Sequence, residues 1–319
     1  MKKRLLRNAA RIALSLLALV LLFREVGGQS ILSALLDARL GLLLLGWALF
    51  MVGLVVRAYR WRALLEGLGL HPTFWTLLRL YLVGGFFNTF LPSGFGGDVV
   101  RVVELAQDED RSAAVGTVLV DRMTGLLSLM AMGLIVLPFA RDLAPWLRWT
   151  FLAISVGGVI GGGLILEGRL LRRLTSRLPW GLSLVGEGPL AEIYAAVTGA
   201  GWRAVGTALA ASTLFNGLNV IVYWLCARAV GIEVAWPFFF IVVPLLSLTL
   251  LIPISVGGLG ARDWVAQPLM ASVAVSETQT AAWTLSVWAV TAAAGLVGGC
   301  LYLGQALAGL VDRSPETSP

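Results

Sequence analysis

The sequence predicts an all-α polytopic membrane protein with about six full transmembrane spans. Two re-entrant broken-helix hairpins accompany them, arranged as an inverted-topology repeat. Three observations predict this. The 319 residues are 58% hydrophobic and 13% charged, with a mean hydropathy of +0.86, whereas soluble domains run at about 45–50% apolar and about 25% charged. Several stretches reach the ~20 apolar residues that a helix needs to cross a bilayer. Two further apolar segments are broken by the same proline and glycine pattern.

The elements follow in order. Met1 to Arg7 is basic and leads into an apolar run ending at Phe23. It looks like a signal peptide, but no small-residue cleavage site follows, so residues 8–26 read as an uncleaved first span. The other full spans are predicted over residues 40–60, 113–137, 147–167, 203–229 and 278–308. Residues 168–202 carry Arg169, Arg172, Arg173 and Arg177 with Pro179 and Pro189. They read as a cytoplasmic or interfacial connection with room for an amphipathic helix. The whole chain, 1–319, is expected to be one transmembrane domain. Its pseudo-repeat halves run over about 1–167 and 203–309, and 312–319 is a polar tail with no soluble catalytic domain expected beyond it.

The interrupted segments run from about Thr73 to Glu104 and from about Trp236 to Ser272. Each is broken by Pro-x-x-x-Gly-Gly-x-x-x-Arg, as Pro92, Gly96, Gly97 and Arg101 and again as Pro253, Gly257, Gly258 and Arg262. Proline stops a helix and a glycine pair permits a sharp turn. The identical spacing and context predict an internal duplication, with the copies about half the chain apart.

Charge sets the orientation. If both broken segments return to the side they came from, about sixteen of the 24 Lys and Arg residues fall on the cytoplasmic side and about five outside. The cytoplasmic set includes Lys2, Lys3, Arg57, Arg60, Arg62, Arg111 and Arg172. Arg101, Arg122 and Arg262 stay at membrane depth. A full crossing by the first broken segment would export Arg169 to Arg177, against the positive-inside rule. The hairpins therefore enter from opposite faces, as in many secondary transporters. A multi-pass plasma-membrane protein with both termini in the cytoplasm is expected. The net charge of +6 and pI of about 9.9 then reflect this asymmetry and anionic headgroups, and no nucleic-acid partner is expected.

Backbone groups freed at a break must be buried or line a polar cavity. Each Gly-Gly turn opens a helix whose N-terminus attracts anions, with an arginine one turn on that can grip phosphate in two places. The candidate phosphate-binding residues are Gly96, Gly97, Arg101, Arg122, Gly257, Gly258 and Arg262. Asp98 can cap its helix or pair with Arg101 or Arg122, and Asp263 beside Arg262 poses the same choice. Asp121 and Arg122 lie in an apolar span, where charges are rare; they are either a helix-locking pair or part of a transport path. Asn216, Asn219 and Tyr223 share one helix face and can bond across helices. Asn88, Ser93, Glu104 and Ser255 complete the candidate cavity. Trp146, Trp149 and Trp236 read as interfacial anchors. One histidine, His71, and two cysteines, Cys226 and Cys300, suggest no metal site, cofactor or disulfide framework.

The run from Asn88 through Asp98 with Arg101, the Asp121-Arg122 pair with Gly125, and the run from Pro253 to Arg262-Asp263 resemble the lysylphosphatidylglycerol synthase transmembrane family, also called the flippase-like domain family. The resemblance covers nearly the whole chain. It implies a translocase for a phospholipid or a polyprenyl-phosphate lipid, with the lipid as substrate and no enzyme activity. Family members that carry a fused aminoacyl-transferase domain differ from this sequence, so a separately encoded enzyme is expected to make the lipid. The oligomeric state is open to a homo-oligomer. Two other functions stay in view: a membrane-embedded transferase acting on lipid-linked sugars or phosphates, and a non-transporting lipid-binding scaffold.

Overall fold

The computed structural model describes residues 33, 36–90, 96–106, 110–140, 143–177, 183–184, 188–249 and 260–311. Every regular element among them is helical. In chain order they are α1 (Leu40–Gly67), α2 (Phe74–Phe90), α3 (Gly96–Leu105), α4 (Arg111–Val136), α5 (Pro145–Glu167), α6 (Arg169–Thr175), α7 (Pro189–Gly199), α8 (Gly201–Ala229), α9 (Trp236–Thr249), α10 (Ala261–Ala271) and α11 (Glu277–Val311). The expected span over 8–26 lies outside the described residues, as do the polar tail and the turns holding Pro92 and Pro253.

Five helices, α1, α4, α5, α8 and α11, are long and apolar enough to cross a membrane. Their 23 to 35 residues make them roughly 35–52 Å long at 1.5 Å per residue, against a hydrocarbon core of ~30 Å. Their ends follow local chemistry. Asp110 caps α4 by accepting the amide of Ala113 at 2.9 Å, and α5 stops where Gly168 takes a φ of +81°, which a side chain resists. Large apolar side chains stay exposed along these helices, such as Leu44, Val52, Val55, Ile135, Ile160 and Leu164. Water would not tolerate so many, whereas lipid tails solvate them. Trp146, Trp149 and Trp236 are exposed in the first turns of α5 and α9. Cys226 is buried and Cys300 is exposed.

α1 and α8 form the central pair and run antiparallel. The Arg39 amide, at the start of α1, donates to Ala229 O at the end of α8 (3.0 Å). At the other end, a Cβ on Gly67 would lie 2.3 Å from Ala200 O, just before α8. The short helices α2, α3, α9 and α10 are 10 to 17 residues long, roughly 15–26 Å, too short to cross alone. α3 returns antiparallel along α2, with Gly97 against Gly84, Arg101 on Tyr81, and Glu104 near Arg79.

The order of long helix, two short helices and long helix occurs twice, as α1–α4 and as α8–α11. The packing swaps partners between the two sets. α2 lies on α11, where a Cβ on Gly298 would sit 1.9 Å from Leu82 O, and α9 lies on α4, where a Cβ on Gly133 would sit 2.6 Å from Phe240 O. In the connecting region, α7 packs firmly on α4 through Gly116 and Ala196 and shares a core with Leu64 and Ala208.

Candidate functional site

A cavity of about 320 Å³ lies where the two sets of helices meet. Its walls are the middle stretches of the long helices: Phe50 to Arg60 of α1, Asp121 to Leu129 of α4, Phe215 to Tyr223 of α8, and Thr291 to Gly295 of α11. Asn88 of α2, Arg101 of α3, Ser247 of α9 and Arg262 of α10 also reach it. The cavity thus sits at half height in helices of membrane-spanning length.

A charged network forms one wall. Asp121, fully buried, accepts Arg60 Nε at 2.6 Å on one oxygen, and the Tyr81 hydroxyl (2.5 Å) and Arg101 Nη2 (3.2 Å) on the other. Arg60 also donates to Ser212 Oγ at 3.0 Å. Asp98 takes Arg101 at 3.4 Å on one oxygen and Arg122 on the other. The Arg101 guanidinium stands 4.0 Å from the ring centroids of both Trp61 and Tyr81. These contacts tie α1, α2, α3, α4 and α8 together, and each member satisfies charge that burial would otherwise make costly.

Two arginines are held differently. Arg57 lies over the rings of Tyr81 and Phe215, 4.8 and 5.1 Å from their centroids. Arg262 is 7% exposed. Among the described residues neither has a carboxylate within ion-pair distance, and the Nε of each is buried without a hydrogen-bond partner. Among the described residues the cavity walls therefore carry five guanidinium groups, Arg57, Arg60, Arg101, Arg122 and Arg262, against two carboxylates, Asp98 and Asp121.

The sequence-predicted residues divide. Asn88, Asp98, Arg101, Asp121, Arg122, Asn216, Asn219, Tyr223 and Arg262 line this cavity. Of the alternatives for the acids, Asp98 pairs with both arginines, and Asp121 pairs with Arg60 and Arg101 rather than with its neighbour Arg122. Asn216 also bonds across helices, donating to Gly125 O at 2.8 Å. Asp263 caps its own helix instead, accepting Gly260 N at 2.9 Å and the Thr284 hydroxyl. Glu104 faces away from the cavity, half-exposed and 3.9 Å from Arg79. Gly96 and Gly97 do not line the cavity either: the Gly97 amide donates to Asn88 Oδ1 (2.8 Å), and a Cβ there would meet Gly84 O at 2.0 Å. Gly97 is needed for close helix packing, and its amide is taken by Asn88. Ser93, Ser255, Gly257 and Gly258 lie outside the described residues.

Sequence reasoning missed Arg57, Arg60 and Tyr81 in the site. It ended a span at residue 60 and gave both arginines to the cytoplasmic side. α1 runs on to Gly67, and Arg60 is buried on Asp121. The signal was the apolar Ala63-Leu64-Leu65 that follows, which makes these arginines interruptions of a helix rather than its end. Moving both leaves about fourteen basic residues on the cytoplasmic side, still well above about five outside.

Fold and site together define a multi-pass helical membrane protein with a basic cavity between its helices. Residues 8–299 match the lysylphosphatidylglycerol synthase TM region, and the chain belongs to that family. Comparison with curated proteins gives no match.

Proposed function

We propose that this protein is a lipid translocase, moving an anionic phospholipid or a polyprenyl-phosphate lipid between leaflets, and not an enzyme. The headgroup phosphate would occupy the half-height cavity while the tails stay in lipid. The observation that carries this reading is the excess of guanidinium over carboxylate on the cavity walls, five groups against two. Uncompensated positive charge at membrane depth is costly, and an anionic ligand offsets it. Family membership supports a lipid-related role.

The two helix sets would be the halves of an inverted repeat within a single transmembrane domain. The antiparallel pairing of α1 with α8 and the exchange of partners between α2–α11 and α9–α4 support it. The return of α3 along α2 supports a re-entrant hairpin. Rocking one half against the other would expose the cavity to each side in turn. The charge asymmetry supports a plasma-membrane location with cytoplasmic termini. In this reading a separately encoded enzyme supplies the lipid, and the transporter can work as a homo-oligomer.

The test is lipid movement in proteoliposomes, read by leaflet-specific quenching of labelled phosphatidylglycerol and labelled polyprenyl phosphate. Wild type is expected to move at least one of them, and Arg262→Ala and Arg101→Ala to slow it about tenfold or more. Failure of well-folded wild type to move either would overturn the reading.

A further inference from the structure

The cavity offers an anion five arginines, but it offers a cation very little. Both Asp121 oxygens are taken, by Arg60 on one side and by Tyr81 and Arg101 on the other. Both Asp98 oxygens face arginines. Two of the four aromatic rings on the cavity already face cations: Tyr81 serves Arg57 and Arg101, and Phe215 serves Arg57, whereas Phe50 and Tyr223 carry none among the described residues. Among the described residues the cavity walls therefore carry three more guanidinium groups than carboxylates, and Arg57 and Arg262 have no carboxylate within ion-pair distance. A single phosphodiester would neutralise one of the three.

We propose that this site, taken as the lipid site of the translocase reading, selects a headgroup with two or more negative charges, a phosphomonoester or diphosphate, gripped by Arg57 and Arg262, and rejects aminoacylated headgroups. A phosphomonoester carries a charge of roughly −1.5 to −2, closer to the charge the cavity lacks. A lysyl ester of phosphatidylglycerol carries two ammonium groups on one phosphate. Those ammonium groups would lie among guanidinium groups with every carboxylate occupied, a like-charge contact that costs affinity. Arg57 and Arg262 come from opposite helix sets, so one headgroup between them would bridge the two halves of the molecule.

The experiment measures binding to the purified full chain in nanodiscs with four probes: dioctanoyl phosphatidate, dioctanoyl phosphatidylglycerol, its lysyl ester, and inorganic pyrophosphate. Phosphatidate is expected to bind about tenfold tighter than phosphatidylglycerol, and the lysyl ester more weakly than either. Equal or tighter binding of the lysyl ester than of phosphatidylglycerol would overturn the proposal. Pyrophosphate binding as tightly as phosphatidate would overturn its lipid part and assign the site to a soluble anion. Arg57→Gln and Arg262→Gln are each expected to weaken phosphatidate binding about tenfold and to narrow its advantage over phosphatidylglycerol; unchanged binding by both would overturn the assignment of residues. If either fails to fold, Arg57→Lys and Arg262→Lys keep the charge and are expected to weaken binding severalfold by losing the planar fork. Vesicle transport separates this from the translocase reading. Selective binding without transport would sink that reading alone, and transport of the lysyl ester as fast as phosphatidylglycerol would sink this one alone.

Discussion

The two copies of the Pro-x-x-x-Gly-Gly-x-x-x-Arg pattern hold their arginines in opposite ways. Arg101 in the first copy contacts Asp98 and Asp121, hydrogen-bonds Tyr81 and stacks near Trp61. Arg262 in the second has no carboxylate within ion-pair distance among the described residues, although the Nε of both arginines is unpartnered. The acid explains much of the difference. In the first copy it lies three residues before the arginine, on the same helix face, where Asp98 reaches both Arg101 and Arg122. In the second it comes one residue after, and the oxygens of Asp263 accept Gly260 N and the Thr284 hydroxyl. The other partners are also one-sided: at the positions matching Tyr81 and Asp121 the second half has Val242 and Ala282. The two copies of the pattern thus hold one arginine inside an ion-pair network and one outside it among the described residues.

The comparison breaks hardest at its shared anchor. Asp121→Ala would strand Arg60 and Arg101 without their buried partner, and is expected to cost roughly 3–5 kcal/mol, seen as a large fall in melting temperature and folded yield. Gly97→Ala would force its Cβ into the Gly84 carbonyl and is expected to cost about 1–3 kcal/mol; an unchanged melting temperature would mean that α2 and α3 can separate freely. The arginines themselves should then divide. Arg101→Gln is expected to lower both stability and lipid movement, whereas Arg262→Gln lowers movement about tenfold, close to 1.4 kcal/mol, with melting nearly unchanged. Equal melting losses in the two variants would abolish the distinction. Asp263→Asn, which weakens a helix cap, should cost about 0.5–2 kcal/mol and leave lipid selectivity intact. Glu104→Gln touches only a half-exposed contact with Arg79 and should stay below about 1 kcal/mol, with transport at the wild-type rate.

Much of the architecture was legible because the bilayer imposes it. Hydropathy located α1, α4, α5, α8 and α11, and the proline and glycine breaks located the short pairs, since length and backbone satisfaction are local requirements. The paired motif also pointed to Arg101 and Arg262, and the charged pair Asp121-Arg122 in an apolar span pointed to Arg122; the fold brings all three arginines to one cavity. The boundary at residue 60 failed because a hydropathy window treats a buried arginine and a flanking one alike. Only the partner separates them, and Asp121 is far from Arg60 in sequence.

The sequence by itself determined the class of protein and the apolar stretches that become its long helices, because a residue's compatibility with hydrocarbon is a property of that residue and its neighbours. The tertiary structure decided which charges cancel. Whether an arginine is a strut or a ligand depends on whether a carboxylate from another helix comes within about 4 Å, where Coulomb energy at low dielectric is large. Packing α1, α3 and α4 around Asp121 supplied that partner to Arg60 and Arg101 and, among the described residues, left Arg57 and Arg262 without one.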